Sequence, residues 1–185
     1  MSYQEIVFAG FGGQGILSMG KFLAYAGMAA NKNVSWLPSY GPEMRGGTAN
    51  CSVIITDEPI GSPVVTRPTS LVVMNRPSLD KFEDTLRPHG LLIIDSDLVT
   101  RSAHRSDIDV ISIPAQTLAE ELGSKKAANM VLLGALVEKT GVVPTEILLE
   151  EIRSHGKDQF FAFNKLAIAK GAELAHQQGQ LHPTP

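Results

Sequence analysis

Two glycine-rich stretches carry the residue types that could do chemistry. "GFGGQG" fits G-x-G-x-x-G through Gly10, Gly12 and Gly15, with Gly13 and Gln14 between them. Glycines let a backbone approach a ligand closely, and free N–H groups at a helix start favour an anion. Gln14 sits at that start and can donate or accept a hydrogen bond. The second stretch, "YGPEMRGG", runs from Tyr40 to Gly47 and sets Glu43 two residues before Arg45. No regular helix is expected across its proline and glycines. Arg45 can make paired bonds to a carboxylate or phosphate. Glu43 can orient that guanidinium or meet a partner's arginine. Gly46 and Gly47 let another backbone come close. If Glu43 and Arg45 only pair with each other, an exposed pair contributes about 0–1 kcal/mol and merely fixes the loop.

The elements that must position these stretches follow from periodicity. "EIVFAG" (5–10) is a short apolar run closed by glycine, as in a buried parallel strand. Ile16, Met19, Leu23, Ala26 and Ala30 recur at helical spacing, which predicts a helix over about 14–30. Gly20 and Gly27 weaken that helix but permit close packing on a sheet. Strands are predicted over 33–39, 47–56, 70–75, 89–96 and 109–115, with a proline-rich loop over 59–68. A helix opening near Pro77, with Leu79, Phe82 and Leu86 on one face, separates the fourth and fifth of the six strands. Beyond 115 the chain reads as four helices, three of them closed by Gly123, Gly141 and Gly156. The expectation is a three-layer α/β/α domain with a mixed, mostly parallel sheet and a Rossmann-like glycine loop after strand 1. Residues 1–178 are read as one domain and 179–185 as a flexible tail.

The glycine loop follows a strand and opens a helix, as the dinucleotide fingerprint requires. That fingerprint also needs an acid about 20 residues on, to hold the ribose. The second strand ends "WLPSYG", and Asp and Glu are absent from 6 to 42. This counts against NAD or FAD. No lysine follows the loop where a P-loop needs one. A tight turn without ligand, another phosphate, or a partner's backbone all stay open.

Composition narrows the function classes. A net charge of −3 argues against nucleic-acid binding through a broad basic face. No run reaches the roughly 20 apolar residues of a membrane span. The start has no basic or cleavage signature, so no signal peptide is expected, and one cysteine suits a reducing cytoplasm. Cys51, in a strand, reads as a buried inert thiol. No residue stands out as catalytic. The five histidines show no metal spacing and read as surface residues; Asp95 and Asp97 read as solvated loop acids. Ser62 in "IGSP" could bond a ligand, although a turn serine is the commoner use. Phe160, Phe161 and Phe163 read as core or as a docking cluster. Asn129 opens an apolar helix and can bond the glycine loop or cap that helix.

Taken in order, "GFGGQGI", "YGPEMRGG", "IGSP" and Asn129 make the chain resemble the gamma subunit of 2-oxoacid:ferredoxin oxidoreductases. The look is closest to the 2-oxoglutarate and branched-chain 2-oxoacid enzymes, and the resemblance runs from about 3 to 175. It implies a complex that oxidatively decarboxylates a 2-oxoacid, forms acyl-coenzyme A and reduces ferredoxin. Thiamine diphosphate, magnesium and iron–sulfur clusters are then expected on alpha, beta and ferredoxin-like delta subunits, and none on this chain alone. One cysteine cannot hold a cluster, which needs about four thiolates. The chain alone is expected to be inactive, with apolar partner faces that could let it form a homodimer. Tyr40, Glu43, Arg45, Gly46 and Gly47 would meet other subunits or coenzyme A. A free-standing nucleotide-binding protein and a purely structural subunit remain the alternatives.

Overall fold

The computed structural model describes residues 3–39 and 47–180. Tyr40, Glu43, Arg45 and Gly46 lie outside the described residues, as do His182 and the tail from 181. Among the described residues six strands form one sheet: β1 (Tyr3–Phe11), β2 (Asn33–Ser39), β3 (Thr48–Thr56), β4 (Ser70–Val73), β5 (Leu91–Asp95) and β6 (Asp109–Ile113). Their order is β2-β3-β1-β4-β5-β6. β3 runs antiparallel to both β1 and β2, while β1, β4, β5 and β6 run parallel. The sheet is therefore mixed, as the sequence predicts. The few residues between β2 and β3 leave no length for the crossover that a parallel pair would need.

Six helices accompany them among the described residues: α1 (Ile16–Ala29), α2 (Arg76–Phe82), α3 (Ala115–Glu121), α4 (Ala128–Thr140), α5 (Thr145–His155) and α6 (Asp158–Gln180). They are shared unequally between the faces. Ile6, Phe8, Val53, Ile55, Val72 and Ile93 point into a core built with α1, α3, α4, α5 and α6. On the other face Val7, Ala9, Leu71, Val73 and Ile94 meet Leu79 of α2 and the segments around Leu86 and Val99. Successive residues of β1 thus serve opposite cores, which is why the strand is apolar without alternation.

Close approach explains the glycines of the thick layer. At Gly20 an added Cβ would lie 2.5 Å from the Cys51 Sγ, so α1 lies directly on β3. In α6 a Cβ at Gly171 would fall 1.8 Å from the Val131 carbonyl oxygen, and one at Gly134 of α4 would fall 2.1 Å from that of Ile168. The two helix backbones touch. α4 is buried at every position from Ala128 to Val137, so it is a core helix rather than an amphipathic one.

The thin layer is held by polar contacts. Asn75 caps α2 by accepting the Ser78 N–H at 2.8 Å, with Pro77 in the first turn. α2 ends at Phe82, and a 3-10 turn carries the chain over 83–85, where the sequence predicts continued helix. The cause is Glu83, whose side chain is fully buried. It accepts the N–H groups of His104 at 2.6 Å and Arg105 at 3.1 Å and pairs with Arg101 at 2.9 Å. Burial pushes its carboxyl up, but Arg101 and the two N–H groups outweigh that and hold it below the usual range.

Candidate functional site

The glycine loop turns from β1 into α1 at the carboxyl end of the parallel strands. Gly10, one residue before the end of β1, lies under the Gln14 side chain, where a Cβ would sit 2.5 Å from Gln14 Oε1. Gln14 does both things its amide allows. Its oxygen accepts the Phe11 N–H at 2.6 Å, and its nitrogen donates to the Met74 carbonyl at 3.1 Å. The side chain therefore braces the exit of β1 against that of β4. Gly15 caps α1 at φ +77°, with no side-chain cap and no acid in the first turn. Among the described residues no side chain takes the first N–H groups of α1, the groups that favour an anion.

Asn129 stands against that cap. Its Nδ2 donates to the Gly15 carbonyl at 3.2 Å, while its Oδ1 accepts the Met130 N–H at 3.0 Å. A Cβ at Gly15 would meet this Nδ2 at 2.2 Å. Of the two roles open to Asn129, the bond to the glycine loop is realised; the cap position of α4 is Ala127. The second glycine stretch also reaches the site. The Gly12 N–H donates to the Gly47 carbonyl at 3.0 Å.

Two cavities flank the loop. The larger, about 550 Å³, is lined by Gly13, Gln14, Asn129, Lys125, Lys126 and Lys157, among others, with His155, Phe160 and Phe163 on its wall. Among the described residues no carboxylate lines it. Its size lies within the range of small-molecule sites. The ring of His155 stacks on Tyr25 of α1, with centroids 3.9 Å apart. Lys126 lies 5.9 Å over the Phe160 ring. The smaller cavity, about 360 Å³, lies between the loop and the start of β3.

The remaining candidates from the sequence fall elsewhere. Ser62 is remote, because β3 ends at Thr56 beside Tyr3 and the Thr69 N–H bonds the Glu5 carbonyl, which puts 57–69 at the amino end of β1. There the Ser62 Oγ accepts the Val64 N–H, an ordinary serine turn. Asp95 corrects the reading of solvated acids. It is fully buried and accepts from Gln116 Nε2 at 2.8 Å and from the Asp97 N–H at 3.2 Å. Burial raises its carboxyl above the usual range. Asp97 is exposed and binds Thr117 at the start of α3. Both acids anchor α3. Cys51 is buried, and desolvation pushes its thiol up to about 12. Among the described residues no group of three or more His, Cys, Asp or Glu could hold a metal ion, and no helix is long and apolar enough to cross a membrane.

The lysines were missed by sequence reasoning. Lys125 and Lys126 precede α4 and Lys157 lies between α5 and α6, so only the fold brings them together. The one signal was a Lys-Lys pair just before the helix that carries Asn129.

A family model described as pyruvate ferredoxin/flavodoxin oxidoreductase matches residues 5–174. The chain belongs to this family. It is 37% identical to the 2-oxoglutarate synthase subunit KorC of Methanocaldococcus jannaschii, covering 94% of this chain and 95% of that one. It is 40% identical to the ketoisovalerate oxidoreductase subunit VorA of Methanothermobacter thermautotrophicus, covering 96% of this chain but only 38% of VorA. The gamma subunit of a keto/oxoacid ferredoxin oxidoreductase from Geobacter sulfurreducens superposes with a TM-score of 0.86 at 32% identity, covering 96% and 98% of the two chains. The 2-oxoglutarate:ferredoxin oxidoreductase of Magnetococcus marinus, solved with 2-oxoglutarate, coenzyme A and succinyl-CoA bound, gives 0.86 at 26% identity; the match covers 96% of this chain and 32% of that one. The gamma-type resemblance in the sequence is therefore correct, and relatives of this chain are subunits of oxidoreductase complexes.

Proposed function

We propose that this chain is the gamma subunit of a multi-subunit 2-oxoacid:ferredoxin oxidoreductase. The complex converts a 2-oxoacid and coenzyme A to acyl-coenzyme A and carbon dioxide and passes the electrons to ferredoxin. Alpha, beta and ferredoxin-like delta subunits carry the thiamine diphosphate, magnesium and iron–sulfur clusters. The observation that carries this reading is the match along nearly the whole length of KorC and of the solved gamma subunit. Its contribution to the complex is the glycine loop and the lysine-lined cavity, which offer coenzyme A a cationic wall and free helix N–H groups. The single cysteine lies buried under α1, which supports placing the clusters elsewhere in the complex.

The rival, a free-standing dinucleotide-binding protein, is disfavoured by two features. β2 offers no carboxylate for a ribose. The crevice between β1 and β4 is bridged by the Gln14 amide. Co-expression with the chromosomal neighbours, purification through a tag on this chain, and assay of coenzyme A-dependent viologen reduction test the proposal. A brown complex active on one of a panel of 2-oxoacids is expected. A colourless chain that purifies alone and binds a nucleotide would refute it.

A further inference from the structure

The two edges of the sheet are finished differently. β6 forms one, and α6 reaches over it: Gln178 Nε2 donates to the Ser112 carbonyl at 2.9 Å. β2 forms the other, and the direction of its backbone groups follows from the ladder. The Glu5 and Ala9 carbonyls accept the N–H groups of Thr69 and Met74, so the odd residues of β1 face β4 and the even ones face β3. Ile6 pairs with Val53 and Phe8 with Cys51. The residues between, Ser52 and Ile54, therefore turn to β2, where they meet Leu37 and Ser35. Val34, Trp36 and Pro38 face away from the sheet. Pro38, which has no N–H to offer β3, fits that assignment. Among the described residues nothing bonds the outward N–H and carbonyl groups of Val34 and Trp36. β2 also carries no charged side chain, the usual guard of an open edge.

We propose that β2 pairs antiparallel with β2 of a second copy of this chain, about a two-fold axis at Ser35, so that the two sheets join into one. What the edge lacks sets the register. Pro38 has no N–H, and the Lys32 N–H already donates to the Gly27 carbonyl at 3.0 Å. Between these positions only Val34 and Trp36 hold both groups unbonded. With Val34 of one copy opposite Trp36 of the other, each such pair exchanges two hydrogen bonds. Lys32 then falls opposite Pro38, so the two positions with no N–H to give face each other. The neighbouring symmetric registers set Pro38 against Val34, or Lys32 against Trp36, and lose bonds. The edge is thus complementary to itself, which is what an interface between two identical copies requires. An uncharged strand also meets its own copy without repulsion. Leu37, 43% exposed, gains the second copy's Asn33 across the seam. α1 lies over β2, with Gly27 against Val34 and Gly20 against Trp36, so the two α1 helices come to the same face of the joined sheet. The pairing needs neither coenzyme A nor the chemistry of the complex, in which it would join two assemblies.

The test compares Ser35→Cys with Leu37→Cys, both on the open face of β2, in the full chain and in the assembled complex. At the axis the two Ser35 Cα atoms form a pair without hydrogen bonds, about 4.5 Å apart, within the roughly 4.4–6.8 Å that a disulfide spans. Leu37 meets Asn33 instead, and its own twin lies four residues along, about 14 Å away. Cys51 is buried and does not compete. Mild oxidation followed by non-reducing electrophoresis should link most of the Ser35→Cys chains into dimers and few of the Leu37→Cys chains. Ser35→Lys sets like charges on the axis and should raise the dimer Kd about tenfold or more in sedimentation, with the circular dichroism unchanged. Equal linking of both cysteine variants would show chance collision of exposed thiols and overturn the proposal. So would linking of neither, or a wild-type chain that sediments as a monomer at every concentration. Linking in the chain but not in the complex would show that a different subunit takes this edge on assembly, and would overturn the pairing there.

Discussion

Replacing Gly15 by alanine adds one methyl group where the structure has no room for it. The new Cβ would lie 2.2 Å from Asn129 Nδ2 and 2.9 Å from its Cγ, against the 3.4 Å at which ordinary contact begins. The amide must retreat by more than about 1 Å and loses its bond to the Gly15 carbonyl. The backbone at φ +77° costs alanine about 1–2 kcal/mol by itself. The clash adds about 1–3 kcal/mol, and the lost hydrogen bond about 0.5–1.5 kcal/mol. Gly15→Ala should therefore destabilise by about 3–6 kcal/mol. Asn129→Ala alone should cost about 1–3 kcal/mol, for the bond and a small cavity. In the double variant the methyl has no amide to strike. It should be no less stable than Gly15→Ala, a favourable coupling of about 1–3 kcal/mol. Urea unfolding of the four proteins, read by the fluorescence of Trp36, measures this. If the two substitutions add to within about 0.5 kcal/mol, Asn129 does not set the loop and the account of the site is wrong.

Three further outcomes follow from the packing and the charges. Gly171→Ala would raise helix propensity by about 1 kcal/mol, but its Cβ meets the Val131 carbonyl oxygen at 1.8 Å; overpacking should win, with a net loss of about 1–3 kcal/mol in thermal unfolding, and a variant as stable as wild type would contradict the backbone contact. The Glu83 carboxyl is held below its ordinary 4.5 in the fold, so the unfolded chain binds more protons in that window, and the stabilisation present above about pH 4.5 is lost as pH falls through the folded value. Glu83→Gln should flatten that acid limb and lower neutral stability by up to about 3 kcal/mol, since Arg101 keeps Asp80; an unchanged acid limb would rule the buried pair out as its cause. Cys51, buried with its thiol pushed up to about 12, should resist a thiol reagent at neutral pH until the chain unfolds, and labelling at the rate of a free thiol would show that α1 does not cover it.

Periodicity made the sheet and the long helices legible, because each strand or helix there carries its own local signal. The six strands, the glycine turn and α1 follow from runs such as "EIVFAG" and from the helical spacing of Ile16, Met19 and Leu23. What escaped was set by distant contacts. The helix from Arg76 stops at Phe82 because Glu83 is drawn to Arg101 and to the 104–105 backbone, about 20 residues later. Asp95 looks like a loop acid until the start of α3 is seen to close over it. The site was half legible. Gly10, Gln14, Gly15 and Asn129 announce themselves by type and place. Lys125, Lys126 and Lys157 do not, since surface lysines before helices are common and only the packing of α4, α5 and α6 gathers them.

The unequal dressing of the sheet has a consequence for how the chain is made. β1, β3 and β4 are complete once residue 73 has been synthesised, with α1 lying on β1, β2 and β3, but the same face of β5 and β6, with Ile93 and Ile111, is covered by α4 and α6, which come late. At the usual pace of translation, the interval from β4 to the end of α6 is roughly 5–20 s. During that time a nascent chain holds a sheet whose β5 and β6 lack part of their apolar cover. α4 offers no relief on its own, since it is apolar on every side and must wait for α6. The subunit is therefore most open to chaperone capture, and to misassembly, while its last third is still on the ribosome.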